Sequence, residues 1–463
     1  MAPLRFRGSA FVFFTRPRLA IPELQAVQYN ISVHRISRRT LIAAPFVVRE
    51  LISKPRASTL RLAAFGADGM AFLTLDPIAS HPKVKLQCVA EVDSAKLDKV
   101  KKKYPDAKIY QDWREMIAKE KRNVDIACVA TPDHMHAPQG MSSMHAGWHV
   151  YQQKPLAHDL HEIRQLTATA RKKKVVTQMG IQVHSRAEYR TVAAVIRSGA
   201  IGKVKEVHSW SEKKWGDLEP LPAGDKAPAS LNWDHWLGVT SPRPFIKEVY
   251  HPVNWRKRLD FGTATFGDMG CHIFDPVFDS LGLTPPISVR SEGPQPNRES
   301  WAINSIIHYV FPGTPLTEGK TINVHWYDGD ERPPKEVQAL AGSRAIPGQG
   351  SIFIGTKGVV LLPHIGMPAL FPEEQFKGYE LPKAETTNHY HQFVEAVLGN
   401  AKTSAPFDYA GPLTEAVLLG PLATRFNKTT LEWDSAHLRF RNSPEANAFV
   451  KRQYRAGWEV RGL

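Results

Sequence analysis

Short apolar runs alternate with longer amphipathic stretches in the part of the chain that starts at residue 60. The runs LRLAAF (60–65), LQCVAEV (86–92), VDIACVATP (124–132) and HVYQQKP (149–155) have the length of buried strands, and the stretches between them have helical spacing of apolar residues. Strands that alternate with helices of this length form right-handed βαβ units in a parallel sheet. We therefore predict a parallel-sheet domain over residues 60–182.

The pattern changes to period two in the remainder of the chain. ISVRSEG, INSIIHYVF, INVHWYDG and SIFIGTKGVVLLP alternate apolar and polar residues, with few helical stretches between them. Such runs of strands indicate one open, largely antiparallel sheet in an α+β domain over residues 183–463. Segments 216–230 and 331–350 are rich in Gly and Pro and are predicted loops. The predicted fold class is α/β, with two unlike domains.

Charge and composition narrow the class of protein. The 463 residues are 42% hydrophobic and 23% charged, which is ordinary for a globular chain. The formal net charge is +15, but no basic run is interleaved with aromatic residues as in strand-binding proteins. No apolar stretch reaches the roughly 18 residues of a spanning helix. We predict neither nucleic-acid binding nor a membrane span, and three cysteines without CxxC spacing exclude a zinc ribbon.

Residues 1–59 form a basic leader with ten basic and two acidic side chains. Ser37, Arg38 and Arg39 precede a short apolar run, residues 41–48. A positive segment before an apolar one is typical of an export signal, and the paired arginines indicate the twin-arginine route. The run is short and a long segment precedes it, so a disordered tail and an internal translation start stay open. Export is favoured over a cytoplasmic location.

The turn after the first strand has the features of a dinucleotide site, which makes the first domain Rossmann-type. Backbone N–H groups at a helix N-terminus must approach a pyrophosphate there, through the pattern G-x-G-x-x-G/A. The three positions are Gly66, Asp68 and Ala71, so the second departs from the pattern. Glu91 ends the next strand and is placed to bind ribose hydroxyls, which favours NAD over NADP. The predicted cofactor-binding residues here are Gly66, Ala67, Asp68, Gly69, Met70 and Glu91.

Two further strand ends lie at the carboxyl edge, where ligands bind in parallel sheets. His134 and His136 follow one strand without a third ligand nearby, so no metal is predicted there. Proline after Lys154 biases that lysine towards extended backbone. The candidates for cofactor contact at these two ends are Thr131, Pro132, His136, Gln153 and Lys154.

The second domain contributes an acid and a histidine. Asp268 and His272 are four residues apart in FGDMGCHIFDPVF, whose helical periodicity places both on one face. Such a pair suits binding and deprotonating a hydroxyl, although in isolation a helix-start acid and a structural histidine are the commoner interpretation. The loop YHPVNWRKRLDFG mixes aromatic, amide and guanidinium groups that recognise polyols. The predicted substrate contacts are His184, Tyr250, Asn254, Trp255 and Arg256.

These segments, in this order, resemble the Gfo/Idh/MocA family of nicotinamide-dependent oxidoreductases from about residue 60 almost to the C-terminus. The shared motifs are the glycine turn, AEVD, ATPDHMHAP, QKPL and GDMGCH, and the closing stretch resembles the family's terminal helices, which pack back near the first domain. In that family the lysine of a Glu-Lys-Pro motif lies beside nicotinamide and substrate. It corresponds to Lys154, with Gln153 in place of the glutamate. The family's acid and histidine match Asp268 and His272, so the resemblance implies catalytic roles for all three.

The resemblance implies hydride transfer from a carbon of a sugar, sugar derivative or cyclitol to NAD. His272 or Lys154 takes the hydroxyl proton, and Asp268 orients the substrate or the histidine. A glycosidase that keeps NAD bound and cleaves a glycoside by transient oxidation and elimination is the alternative. A non-catalytic nucleotide-binding protein is the third. The substrate is not fixed by the sequence, and an open sheet with one uncovered face predicts a homo-oligomer.

Overall fold

The computed structural model describes residues 59–463, so the predicted leader lies outside the described residues apart from Thr59. The strands are β1 (Leu60–Phe65), β2 (Val84–Ala90), β3 (Lys108–Tyr110), β4 (Ile126–Val129), β5 (His149–Gln152), β6 (Thr177–Met179), β7 (Val204–Ser211), β8 (Ser288–Glu292), β9 (Ile306–Pro312), β10 (Thr321–Asp328), β11 (Gln349–Gly355), β12 (Val359–Pro363), β13 (Ala369–Phe371), β14 (Thr430–Asp434) and β15 (Arg439–Phe440). The helices are α1 (Met70–Ala79), α2 (Asp98–Lys103), α3 (Trp113–Glu120), α4 (His136–Ala146), α5 (Leu160–Lys173), α6 (Ala187–Ser198), α7 (Trp233–Leu237), α8 (Cys271–Ile273), α9 (Asp275–Leu281), α10 (Lys335–Ala339), α11 (His389–Val397), α12 (Phe407–Thr424) and α13 (Pro444–Asn447).

The first sheet has six parallel strands in the order β3-β2-β1-β4-β5-β6. Its strands are almost continuously buried, as expected where helices cover both faces of a parallel sheet. The order reverses between β1 and β4, and in sheets of this kind ligands bind at the carboxyl ends beside that reversal. The predicted Rossmann-type parallel sheet is confirmed.

The second sheet has nine strands in the order β13-β12-β11-β7-β10-β9-β8-β14-β15. Strands β7 and β10 pair in parallel, and the other pairs are antiparallel, which confirms an open, largely antiparallel sheet. One face packs on the segment around Phe266 and Phe274 and on α12. The opposite face, which we call the outer face, carries Trp210 and Tyr327.

The predicted loop at 331–350 is wrong in part. Helix α10 forms within it, and β11 begins at Gln349. Val337 and Ala341 are buried against the outer face, so the apolar residues of this segment have a surface to cover. Gly and Pro around the helix end it early but do not prevent its single turn.

The last two long helices pack on the first domain. Phe393 and Val394 of α11 share a buried cluster with Leu75 and Ile78 of α1. Helix α12 packs against α5, and the amide of Gln178 donates to the carbonyl oxygen of His389 at 2.7 Å. The chain from residue 59 onwards therefore forms one unit in which both sheets share buried surface with these helices.

The three cysteines, Cys88, Cys128 and Cys271, are buried free thiols. Burial raises the pKa of Cys88 and of Cys271 to about 12, so these thiols are inert. Within residues 59–463, no helix combines the length and apolar character needed to cross a bilayer.

Candidate active site

A cavity of about 690 Å³ opens at the carboxyl ends of the first sheet and reaches the second sheet. Residues of the glycine turn and strand ends form one end, which we call the cofactor end: Gly66, Asp68, Gly69, Met70, Ala90, Glu91, Thr131, Pro132, His136 and Gln153. Residues from both domains form the other end, which we call the catalytic end: Asp133, Lys154, Lys213, Trp215, Trp255, Arg256, Asp268, His272, Gln349 and His364.

The glycine turn at the cofactor end is tightly built. Gly66 has φ 95°, and a Cβ added there would lie 2.7 Å from the Cβ of Ala71. Gly69, with φ 54°, precedes α1, and in the part of the chain that the structure describes no side chain caps this helix. The uncapped N–H groups face a cavity, which is the arrangement that binds a pyrophosphate. These residues fit the phosphates of a dinucleotide.

The carboxylate of Asp68 is turned towards α2, where Lys99 Nζ lies 2.6 Å from its Oδ1. The hydrogen bond from Lys99 lowers the pKa of Asp68 below its usual value. The charge at the position where the pattern expects glycine is therefore paired with a lysine. This pairing offsets the repulsion that a free carboxylate would exert on a phosphate.

The side chain of Glu91 holds the backbone of the glycine turn in place. Its two carboxylate oxygens accept from the backbone N–H groups of Ala67 at 2.9 Å and Asp93 at 3.0 Å. Burial raises the pKa of Glu91 to about 7, in spite of these two donors. Glu91 lines the cofactor end, as predicted, and it also fixes the backbone that meets the phosphates.

The other strand-end candidates lie at the cavity with their polar groups engaged by protein. Thr131 donates to Oε1 of Gln139 at 2.6 Å, and the amide of Gln153 donates to Thr74 at 2.8 Å. The ring nitrogens of His136 each lie 2.7 Å from a carbonyl oxygen, of Pro155 and of Thr131. Burial lowers the pKa of His136 to about 4, so the neutral ring satisfies one of these carbonyls and holds the two strand ends together.

Lys154 and Asp268 form the centre of the catalytic end. Lys154 follows β5, and its Nζ donates to Oδ1 and to the backbone carbonyl of Asp268, both at 2.7 Å. Arg256 donates to the same Oδ1 at 3.3 Å, and the indole N–H of Trp215 donates to Oδ2 at 2.7 Å. Burial works against ionisation of Asp268, but the charges of Lys154 and Arg256 and these hydrogen bonds outweigh it, so its pKa lies well below the usual range. Asp268 is a fixed anion.

His272 shares the wall with Asp268 but does not bond to it. The predicted helix opens as a π-helical turn, Phe266–Gly270, and continues into α8, which brings both side chains to the cavity. Among residues 59–463, no group hydrogen-bonds with Nδ1 of His272, which is buried. Burial, reinforced by Lys154, lowers the pKa of His272 well below its usual value. The ring is a neutral imidazole with an unused nitrogen.

A second neutral imidazole lies opposite. The ring of His364, which follows β12, is centred 5.8 Å from that of His272. Tyr189 O–H lies 2.8 Å from its Nδ1, and burial lowers the pKa of His364 to about 4. Donation by the tyrosine hydroxyl leaves the proton of the ring on Nε2.

Asp133 is a further buried carboxylate at this end, and its state is the reverse of that of Asp268. Thr263 donates to its Oδ2 at 2.7 Å, and no salt bridge to a lysine or arginine forms among the described residues. Burial raises the pKa of Asp133 to about 7. Two carboxylates in one cavity are thus held in different states by different partners.

The structure brings two of the five predicted substrate contacts, Trp255 and Arg256, to the cavity. His184 is instead held by Asp275, 2.9 Å from its Nδ1, and Tyr250 packs inside an aromatic cluster. Asn254 donates to the carbonyl oxygen of Glu248 at the surface. These three do not line the cavity. The prediction failed for them because the spacing of residues along the chain does not show in which direction a loop side chain points.

Four lining residues had no signal in the sequence: Lys213, Trp215, Gln349 and His364. Trp215 lies four residues beyond β7, where an EKKW segment resembles any charged strand end. Gln349 starts β11 and His364 follows β12, and neither has a polar neighbour that marks it. The order of strands in the second sheet places these ends beside Asp268, and that order is not visible in the local pattern.

Two family models match the chain, and together they cover more than half of it. Residues 60–181 match the model of the "oxidoreductase family, NAD-binding Rossmann fold", and residues 190–329 match its "C-terminal alpha/beta domain". The chain belongs to the Gfo/Idh/MocA oxidoreductase family. The glycine turn, Glu91 and Lys154 lie in the segment that matches the NAD-binding model, and Asp268 lies in the segment that matches the C-terminal model.

Solved structures share the fold. The WlbA dehydrogenase from Bordetella pertussis, in complex with NADH and UDP-GlcNAcA, is 14% identical and superposes with a TM-score of 0.58 over 81% of this chain and 99% of that one. The aldose-aldose oxidoreductase from Caulobacter crescentus, complexed with glycerol, is 16% identical, with a TM-score of 0.53 over 81% of this chain and 100% of that one.

Curated relatives match over a shorter segment. An alpha-N-acetylgalactosaminidase from Shewanella oneidensis is 24% identical over 159 residues, which is 32% of this chain and 34% of the relative. A glycosyl hydrolase family 109 protein from Shewanella sp. ANA-3 matches to the same extent. The match therefore spans about a third of the length of these relatives.

Proposed function

We propose that the protein is an NAD-dependent oxidoreductase that moves a hydride between the cofactor and a carbon of a sugar, sugar derivative or cyclitol. The observation that supports this most is one cavity with an uncapped glycine turn at one end and the Lys154–Asp268 pair beside neutral His272 at the other. Bound NAD supplies the hydride acceptor. The protein supplies position, charge and a proton acceptor.

Each catalytic residue has a distinct task. Lys154, held by Asp268, donates to the hydroxyl oxygen and stabilises the negative charge that develops as the proton leaves. His272 lines the cavity as a neutral imidazole, so its ring accepts that proton. Asp268 is locked by three donors and orients Lys154; it does not exchange a proton, because its pKa is far below neutral.

The lining of the catalytic end favours a polyol. Trp215 and Trp255 line this end, and the guanidinium carbon of Arg256 is 5.4 Å and 4.3 Å from their ring centroids. Flat aromatic groups pack on the C–H faces of a sugar ring, and the amide of Gln349 and the ammonium of Lys213 bond its hydroxyls. The carbohydrate named with the Bordetella structure supports the same class.

Glu91 favours NAD over NADP in this proposal. A carboxylate at the end of β2 accepts from ribose hydroxyls but repels a 2′-phosphate. The hydrogen bonds from the backbone N–H groups of Ala67 and Asp93 hold Glu91 at the cofactor end whether the cofactor is NAD or NADP.

The direct test is an assay of the purified full chain with NAD⁺ or NADP⁺ and a panel of aldoses, uronic acids, amino sugars and inositols, followed by absorbance of the reduced nicotinamide. We expect NADH formation with at least one polyol and a lower KM for NAD⁺. Lys154→Met and Asp268→Asn should be inactive, and Asn254→Ala, outside the cavity, serves as the matched control. Activity that survives both substitutions would contradict the roles of Lys154 and Asp268, and binding of NAD⁺ without turnover by the wild-type chain would favour a non-catalytic nucleotide-binding protein.

The second candidate is a glycosidase that retains NAD and leaves it unchanged overall. The similarity to the Shewanella alpha-N-acetylgalactosaminidase supports it, as does the second imidazole, His364, at a place where elimination needs a second acid–base group. Denaturing the protein purified without added cofactor and measuring released NAD by mass spectrometry separates the two. Near-stoichiometric NAD together with release of p-nitrophenol from an aryl glycoside, without net reduction of added NAD⁺, would replace the dehydrogenase proposal.

We also propose that the chain is a homo-oligomer through the outer face, and that the leader directs export by the twin-arginine route. Half-buried Ile306 and Ile354 on that face support the first proposal. Arg38 and Arg39 support the second. Sedimentation equilibrium tests the assembly state, and cell fractionation of the chain with Arg38→Lys and Arg39→Lys tests the export route. A monomer, or unchanged location of the double variant, would contradict the respective proposal.

A further inference from the structure

A row of histidines crosses the middle of the outer face. In the register of the second sheet, His208 of β7 is opposite His325 of β10, and His325 is opposite His308 of β9. Glu206 lies two residues before His208, so its side chain is on the same face. None of these residues lines the active-site cavity.

The side chains of Glu206, His208 and His325 converge. One ligand atom of each lies within 4.8 Å of the other two. Nε2 of His325 is 2.6 Å from Oε1 of Glu206, and Nε2 of His208 is 3.5 Å from the same oxygen. Ligand atoms around a tetrahedral ion with bonds of about 2.0–2.1 Å are about 3.3 Å apart, so small side-chain shifts suffice to place an ion between these three.

In metal-bound histidines the ring nitrogen that does not bind the metal usually has a hydrogen-bond partner, and the Nδ1 atoms of His208 and His325 have such partners. Nδ1 of His208 lies 3.0 Å from the hydroxyl of Tyr327, and Nδ1 of His325 lies 2.6 Å from Nδ1 of His308. Donation through Nδ1 leaves Nε2 of each ring to bind a metal ion once the proton between His325 and Glu206 has left. Both Nε2 atoms are on the side of the rings that faces Glu206.

His208 carries the unpaired nitrogen of this network. Its side chain is 4% exposed, yet within residues 59–463 its Nε2 has no hydrogen-bond partner. A buried nitrogen without a hydrogen-bond partner is unusual in a folded protein, and an ion bound between His208 and Glu206 would satisfy it.

The charges around the row suit a cation. Glu206 supplies a carboxylate within the row, and Glu336 of α10 adds a second carboxylate near His208. Arg290, the cation that acts on His308, is paired with Glu292 at 3.4 Å.

From this geometry we propose that Glu206, His208 and His325 form a binding site for a divalent first-row transition metal ion, with Zn²⁺ as the fitting probe. Two imidazole nitrogens and one carboxylate oxygen form the donor set that Zn²⁺ accepts and that Ca²⁺ and Mg²⁺ do not favour. His308 and Tyr327 orient the ligands. The proton between His325 and Glu206 leaves to solvent as the ion enters.

The test is metal binding by the untagged full chain, freed of metal with a chelator and dialysed against Zn²⁺. We expect about one Zn²⁺ per chain by elemental analysis, and intense visible d–d absorption when Co²⁺ replaces it, as a tetrahedral site gives. Glu206→Gln and His325→Gln should each weaken Zn²⁺ binding at least about 100-fold. Glu206→Gln changes a partly exposed side chain, so we expect the fold to be preserved, and circular dichroism checks this.

Two controls separate this site from others. Glu432→Gln, an exposed glutamate of β14 in the same sheet, should bind Zn²⁺ as wild type does. His272→Gln should also leave the Zn²⁺ content unchanged, because the proposal does not involve the active-site cavity. No retained metal, unchanged affinity of Glu206→Gln and His325→Gln, or loss of the ion in His272→Gln would each overturn the proposal.

Discussion

The two ends of the cavity are built in opposite ways. The cofactor end uses backbone: the start of α1 after Gly69 presents N–H groups, and Glu91 holds the turn in place by accepting from two further N–H groups. The catalytic end uses side chains that are far apart in sequence, such as Lys154 and Asp268, and neutralises their charges against one another. A substitution at the first end therefore alters how tightly the cofactor is bound, whereas one at the second alters the reaction itself.

The difference has an electrostatic cause. Backbone dipoles are in place once the strand and helix form, and they need no partner to hold them. A buried carboxylate needs cations at close distance: Asp268 is in direct contact with Lys154 and Arg256 and is ionised, whereas Asp133 accepts a hydrogen bond from Thr263 and has a pKa of about 7. The neighbouring charges, and not the type of side chain, therefore determine that Asp268 is an anion at a pH where Asp133 still binds a proton.

The largest effect should come from removing the cation of the catalytic end. Lys154→Met keeps the length of the stem and leaves Asp268 with Arg256 and Trp215. We expect kcat/KM to fall at least about 1,000-fold, or about 4 kcal/mol, with little change in the KM for NAD⁺. Steady-state kinetics with both substrates measures the split. A variant that keeps more than a tenth of the activity would refute the role of Lys154.

Asp133→Asn should remove a pH dependence of stability. Burial raises the pKa of Asp133 from 3.8 in the unfolded chain to about 7, so between these values the folded state binds the proton more tightly. This group therefore stabilises the fold below pH 4, relative to higher pH, and its contribution is lost as the pH rises to 7, by up to about 1.4 kcal/mol per unit.

The variant has no such proton, and its amide oxygen still accepts from Thr263. Urea unfolding of both proteins at pH 5, 6 and 7 should show Asp133→Asn gaining on wild type with each step, to about 3 kcal/mol at pH 7. A constant difference across this range would mean that Asp133 is ionised throughout and that the two carboxylates are alike.

Glu91→Ser addresses the cofactor end. We expect the KM for NAD⁺ to rise about tenfold, or about 1.4 kcal/mol, with kcat within about twofold of wild type, because the residue holds the cofactor and not the substrate. The preference for NAD⁺ over NADP⁺ should shrink at the same time. Kinetics with both cofactors measures this, and Glu91→Gln, which keeps the shape, is the control. A fall in kcat larger than the rise in KM would contradict the view that the cofactor end controls binding of the cofactor and the catalytic end controls the reaction.

The smallest effect should come from Asp68→Gly, which restores the expected glycine pattern. The ion pair with Lys99 is half-exposed, so its loss should destabilise the protein by less than about 1 kcal/mol. Removing a negative charge from the pyrophosphate turn should tighten NAD binding by no more than about threefold. Calorimetric titration and thermal unfolding check the two values. Binding that is tenfold weaker would show that Asp68 contributes a contact of its own.

Some residues of the candidate site were predicted from the sequence and others were not. Lys154, Asp268 and His272 were found from motifs and from an i, i+4 spacing that survives the π-helical turn. His184 and Tyr250 were expected at the substrate and are instead paired with Asp275 or buried among aromatics. Trp215 was missed because it follows β7, which pairs with strands distant in sequence. His364 was missed because the residues that it meets, Tyr189 and His272, are distant in sequence.

The alternation of strands and helices, the glycine turn and the acid that follows it could be predicted from the sequence, because these depend on periodicity and on residues within one βαβ unit. Strand order and packing determine which distant strand ends meet around Asp268, and that His208, His325 and Glu206 share one face of the second sheet. The physical reason is that local patterns fix the direction of a side chain within its own element, whereas strand order and register fix its partners, and those partners set its charge.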